Sequence, residues 1–103
     1  MRTISAKLVL DCVIAADGFK STRERVLSPD RRQDVFFVRM AYARIRREMG
    51  AKIVQIGKEI HRDHSTVSRL IELHDTDVQY TPAYRDLYHK TKEYIKDLTS
   101  VEI

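Results

Sequence analysis

Between Ile60 and Leu70 the chain reads HRDHSTVSR: two histidines, three hydroxyls, two arginines and an aspartate within nine residues. Three chemistries could use such groups. His61 and His64 have a spacing that can share a metal ion, but no cysteine and no third or fourth ligand flanks them, so no metal site is expected. Ser65 or Ser68 beside His64 offers a nucleophile and a base. Neighbours on one short helix, however, cannot also supply the orienting acid and oxyanion site that hydrolysis needs. Recognition is the third. Short hydrogen-bonding groups in the first turn of a helix can reach base edges in a major groove about 12 Å wide. Asp63 can accept from a cytosine amino group, and His64 or Thr66 can offer polar and apolar contacts to thymine. Ser65 shares that turn, and Ser68 and Arg69 lie further along the same face. The expectation is a binding protein, not an enzyme, with no cofactor.

Such groups need two crossed helices to present them. Ile53, Ile56 and Ile60 recur at three- and four-residue steps, as do Val67, Leu70 and Ile71, which predicts helices over 52–60 and 63–73. Gly57 falls where the first helix must allow a close approach, and Val67 follows it by ten residues, the separation helix-turn-helix pairs use. Asp63 suits the N-cap of the second helix. His61 stands in the turn where a left-handed conformation is required, and histidine tolerates positive φ better than most residues.

The flanking sequence is also helical in pattern. Leu8, Val9, Cys12, Val13 and Ala16 form a stripe over 5–16, with Gly18 as its stop and Cys12 as a core residue. Ser21 and Glu24 have capping-box spacing before a short helix over 22–27. A long helix then starts at Ser28 or at Asp34 and ends at Gly50. Its inward stripe is Val38, Ala41, Tyr42, Ile45 and Met49, with Arg39, Arg44, Arg46 and Arg47 on the solvated surface. The segment DTDVQYTP reads as loop, and Thr81-Pro82 opens a last packing helix over 82–98. The stripe of that helix is Tyr84, Leu87, Tyr88, Thr91, Tyr94, Ile95 and Leu98, with the tyrosines read as packing groups. The fold class expected is all-α: a small bundle of five to six helices containing a helix-turn-helix, in one domain over residues 1–103.

Charge narrows the partner. Through His74 there are 15 Lys and Arg against 9 Asp and Glu; from Asp75 onward there are 4 against 6. A basic first part with a mildly acidic end suits one face that meets a polyanion and a segment that packs. Cys12 is the single cysteine, and no stretch resembles a secretory signal or a membrane span, so a reduced, cytoplasmic, nucleoid-associated setting without membrane contact is expected.

The run RDHSTV, Arg62 to Val67, resembles the signature of the C-terminal DNA-binding domain of the bacterial replication initiator DnaA and of related phage and mobile-element proteins. IVQIGKEI and ARIRREMG resemble the two helices before that signature, and the order of elements follows the family over residues 4–74. The resemblance implies a Trp-repressor-like helix-turn-helix. It implies that Asp63, His64 and Ser65 read bases with Thr66 beside them, that Arg62 binds at the groove edge or to phosphate, and that Lys52 binds the backbone. The family's basic loop, which enters the minor groove, falls at SPDRRQD, making Arg31 and Arg32 the candidates. The chain departs from the pattern in three ways: Ser65 replaces the commoner threonine, the turn is one residue shorter than the family's glycine pair, and the loop carries two aspartates. No G-x-x-x-x-G-K-[ST] loop occurs, so ATP hydrolysis is not expected. The function expected is sequence-specific binding of double-stranded DNA in replication control or transcription. An alternative is a helical adaptor that docks a replication or regulatory protein, or a second copy, through the tyrosine-bearing last helix.

Overall fold

A computed structural model describes residues 4–103, folded as six helices with no strand among the described residues. α1 (Ala6–Ala16) starts where the Ser5 hydroxyl accepts from the Leu8 amide at 3.1 Å. It stops at Gly18, whose φ is +72°. α2 (Arg23–Leu27) is capped by Thr22, which accepts from the Arg25 amide at 3.2 Å. The cap is therefore Thr22 and not Ser21, which is buried and donates its amide to Asp17 instead.

α3 (Gln33–Glu48) begins at neither Ser28 nor Asp34. Ser28 is consumed by local turns: its hydroxyl donates to the Arg25 carbonyl at 2.8 Å and accepts from the Asp30 amide at 3.2 Å. Asp30 in turn accepts from the Arg32 amide at 2.9 Å. Such side-chain bonds offer the backbone an alternative to helix, and the loop keeps them until residue 33. α4 (Ile53–Ile60), α5 (His64–Tyr80) and α6 (Pro82–Thr99) complete the chain.

α3 is the centre of the bundle and packs on each of the other five helices. Val35, Val38, Met40, Ala41, Tyr42, Ala43 and Ile45 are buried along it. α1 lies against α6 and α3, with Val9, Leu10, Cys12, Val13 and Ile14 inside. On α6, Tyr84, Leu87, Tyr88, Thr91 and Ile95 are buried as the spacing predicts, and Tyr94 is partly buried. Leu98 is not part of the stripe: it is 63% exposed, and Thr99 takes the inner position.

α5 runs through the segment read as loop and ends seven residues later than predicted, at Tyr80. Tertiary contacts explain the extension. His74 is buried, its Nδ1 is 2.5 Å from the Tyr84 hydroxyl, and its ring meets Tyr88 edge-on at 4.4 Å. The helix can thus carry Asp75, Thr76 and Gln79 on its solvent side while His74 faces α6 and Val78 packs on the core. Its last carbonyls are satisfied by Arg85, which donates to Val78 at 2.7 Å and Gln79 at 2.6 Å. Thr81 then leaves the helical region, as the residue before a proline tends to do.

Candidate nucleic-acid interface

α4 and α5 are joined by three residues, His61, Arg62 and Asp63. The turn is tight because its backbone folds onto α4: the Arg62 amide donates to the Gly57 carbonyl at 2.9 Å. A Cβ at Gly57 would lie 2.5 Å from the Arg62 carbonyl oxygen and 3.6 Å from a Val67 methyl. The close approach predicted at Gly57 is thus real, and the turn's own backbone makes it. His61 takes the left-handed conformation, φ +57° and ψ +46°, as expected. Ile56, Ile60, Val67 and Leu70 fill the space between the two helices.

Asp63 caps α5, accepting from the Thr66 amide at 2.8 Å, and hydrogen bonding from the Thr66 side chain and then from its amide holds the Asp63 carboxyl below the usual carboxylate range. One of its oxygens is therefore spent on the helix start. His64, Ser65 and Arg69 are exposed, while Thr66 and Ser68 are half-buried. Lys52 sits exposed at the N-cap of α4. A shallow groove beside the turn is lined by Val54, Gly57, Lys58 and residues 61–64. Lys58 was not singled out in the sequence, although it stands beside Gly57 on the solvent side of α4.

α4 is held to α3 by a network the arginine count concealed. Arg46 donates from Nε and Nη2 to both Glu59 oxygens, at 2.9 and 2.8 Å, and the Tyr42 hydroxyl donates to Glu59 at 2.7 Å. Burial alone would raise the Glu59 carboxyl, but the bonds from Arg46, Tyr42 and Gln55 outweigh it and bring it down to about 2. Burial and Glu59 push the Tyr42 hydroxyl up. Arg46 is consequently no solvated residue; its side chain is 14% exposed.

Arg39 departs further from the expected surface position: it is 5% exposed. Its guanidinium donates to four carbonyls, those of Arg25 (3.0 Å), Val26 (2.8 Å), Ser28 (2.6 Å) and Asp30 (2.6 Å). The signal for it lay in the spacing, since Arg39 is four residues after Val35 and three before Tyr42, both buried. Arg62 also donates to the Ser28 carbonyl, and to those of Ile60 and His61. The predicted groove-edge cation is thus bonded to the backbone just before it and to that of the loop at Ser28. In the same loop Arg32 pairs with Asp30 at 2.9 Å, whereas Arg31 is exposed and makes no hydrogen bond or ion pair among the described residues.

The predicted residues converge in part. Residues 61–66 make up the turn and the first turn of α5, and Arg62 reaches from them to the loop that carries Arg31 and Arg32. The chain matches no protein-family model and no curated protein.

Proposed function

We propose that this protein is a non-enzymatic, sequence-specific binder of double-stranded DNA, using α4, its turn and α5 as a helix-turn-helix. The observation that carries the reading is the first turn of α5. There Asp63, His64 and Ser65 are exposed together on a helix start locked by Gly57 and the Asp63 cap. Short polar groups at a helix N-terminus can enter a major groove, where each base pair presents a distinct pattern of donors and acceptors. Lys52, Lys58 and Arg69 are exposed cations on the same two helices and suit phosphate contacts that fix register. Thr66 and Ser68 supply further hydroxyls, and Arg31 and Arg32 are the candidates for the neighbouring minor groove. The likeness of RDHSTV to the DnaA origin-binding signature supports a role in replication control or transcription in a cytoplasmic, nucleoid-associated setting.

Selection of bound duplexes from a random pool tests this reading, with enrichment of a short common motif as the expected result. H64A and S65A then relax preference for that motif, while R69A weakens binding to motif and random duplexes alike and lowers the salt slope by about 1. A pool that enriches nothing, or equal losses on both duplexes for all three variants, rejects the reading.

A second reading has one observation in its favour. Phe19 (73% exposed) and Leu98 (63%) border an apolar groove between α1 and α6, completed by Leu8, Ala15 and Tyr94. A helical adaptor, or a self-associating module, would use that face. Gel filtration with and without duplex separates the two readings. A stable protein complex with no duplex binding at low salt favours the adaptor.

A further inference from the structure

We propose that Arg39 is a positioning residue for duplex contact: it pins to α3 the loop that carries Arg31, and Arg62 ties that same loop to the turn that starts α5. The inference rests on the duplex-binding reading and adds a device that sets the spacing between two parts of the binding surface.

A guanidinium presents five N–H donors in one rigid plane. Arg39, almost wholly buried on α3, directs them at the carbonyls of Arg25, Val26, Ser28 and Asp30, so the backbone from the end of α2 to Asp30 wraps around one side chain. Among the described residues no carboxylate pairs directly with it; carbonyl dipoles solvate its charge. The Ser28 carbonyl also accepts from Arg62, which comes from the turn between α4 and α5. Two cations from distant parts of the chain therefore meet on one oxygen. The two like charges repel, the carbonyl dipoles around them offset that repulsion, and the shared oxygen ties the loop to the turn.

Arg31 is the first residue beyond this pinned segment. Its neighbour Arg32 folds back on Asp30, and Arg25 does the same at 3.3 Å, so the single Asp30 carboxylate offsets both. Arg31 is left as the exposed cation of the loop that makes no ion pair among the described residues, on a backbone whose position relative to His64 and Ser65 is set through Arg39 and Arg62. A long duplex presents its grooves at fixed separations, so contacts in two adjacent grooves require such a fixed spacing.

The test is a double-mutant cycle of R31A and R39K, with affinity for a selected duplex measured over a range of salt concentrations. Lysine retains the charge but cannot fork to four carbonyls. In the wild type R31A lowers the salt slope by about 1. In the R39K background the loop drifts, R31A leaves the slope unchanged, and H64A still relaxes sequence preference. Amide exchange gives a reading that needs no DNA: in R39K the amides of Asp30 and Arg32 exchange faster than in the wild type. The proposal is overturned by equal slope changes in both backgrounds, by an R31A variant that behaves as wild type, or by loop amides indifferent to R39K. If R39K does not fold, R62K loosens the same carbonyl from the other side and carries the same expectations. A wild type that binds no duplex at low salt defeats the duplex reading instead, and amide exchange still decides whether Arg39 holds the loop.

Discussion

At the scale of single residues, the candidate interface depends on positions where only one side chain fits. Gly57 is the clearest. In an open helix Gly→Ala gains about 1 kcal/mol from helix propensity. Here the added carbon would sit 2.5 Å from the Arg62 carbonyl oxygen, a backbone atom that cannot turn aside. G57A is therefore expected to destabilise the protein by about 1–3 kcal/mol, as overpacking does, read as a lower urea midpoint with unchanged m. A gain in stability would mean that the turn is not packed on α4. His61 shows the opposite compromise: it holds a left-handed conformation that glycine would take without strain. Its ring is exposed beside the groove, where glycine would offer nothing.

At the scale of elements, α4 is a short helix whose position is decided by polar bonds as well as by its isoleucines. Glu59 accepts from Arg46, Tyr42 and Gln55, and the first two reach it across from α3. E59A leaves the half-buried Arg46 guanidinium and the buried Tyr42 without their acceptor, and a loss of about 2–3 kcal/mol is expected. The pH dependence has a definite sign. The folded-state value near 2 lies below the ordinary carboxyl value of 4.5, so the contribution is complete above about pH 4.5 and is lost as pH falls toward 2. Urea unfolding of E59A and wild type at neutral pH and near pH 2 checks both points: the gap between them narrows in acid. A gap that persists would assign the effect to packing.

At the scale of the whole molecule, His74 joins α5 to α6 beside α3. Burial first, and then the nearby Arg44 charge, lower its pKa from 6.5 to about 4, while Asp75 and Glu48 raise it and His89 lowers it. The unfolded chain therefore takes up this proton before the folded one. Stability is expected to fall by roughly 2–3 kcal/mol as pH drops from about 6.5 to 4.5, a window in which Glu59 still contributes fully. Chemical denaturation across that window measures the slope, and H74F removes it. A wild-type stability flat over the same range would show that the ring is hydrated in the folded state.

The amino-acid order alone specifies the helical class and five of the stripes, because apolar residues at three- and four-residue steps must share a buried face whatever lies opposite. It also placed Gly57, His61 and the Asp63 cap, since their conformations are dictated within a few residues of chain. The tertiary structure alone decided three things. α5 continues to Tyr80 because His74 finds a buried partner on α6, ten residues further along the chain. The loop before α3 is held by Arg39 and Arg62 at the Ser28 carbonyl, long-range bonds that capping preferences do not reveal. Arg39 and Arg46 turn inward because carbonyls and a carboxylate from other segments meet them there. A buried charge is tolerated only where its partners converge, and convergence is a property of the folded chain, not of spacing along it.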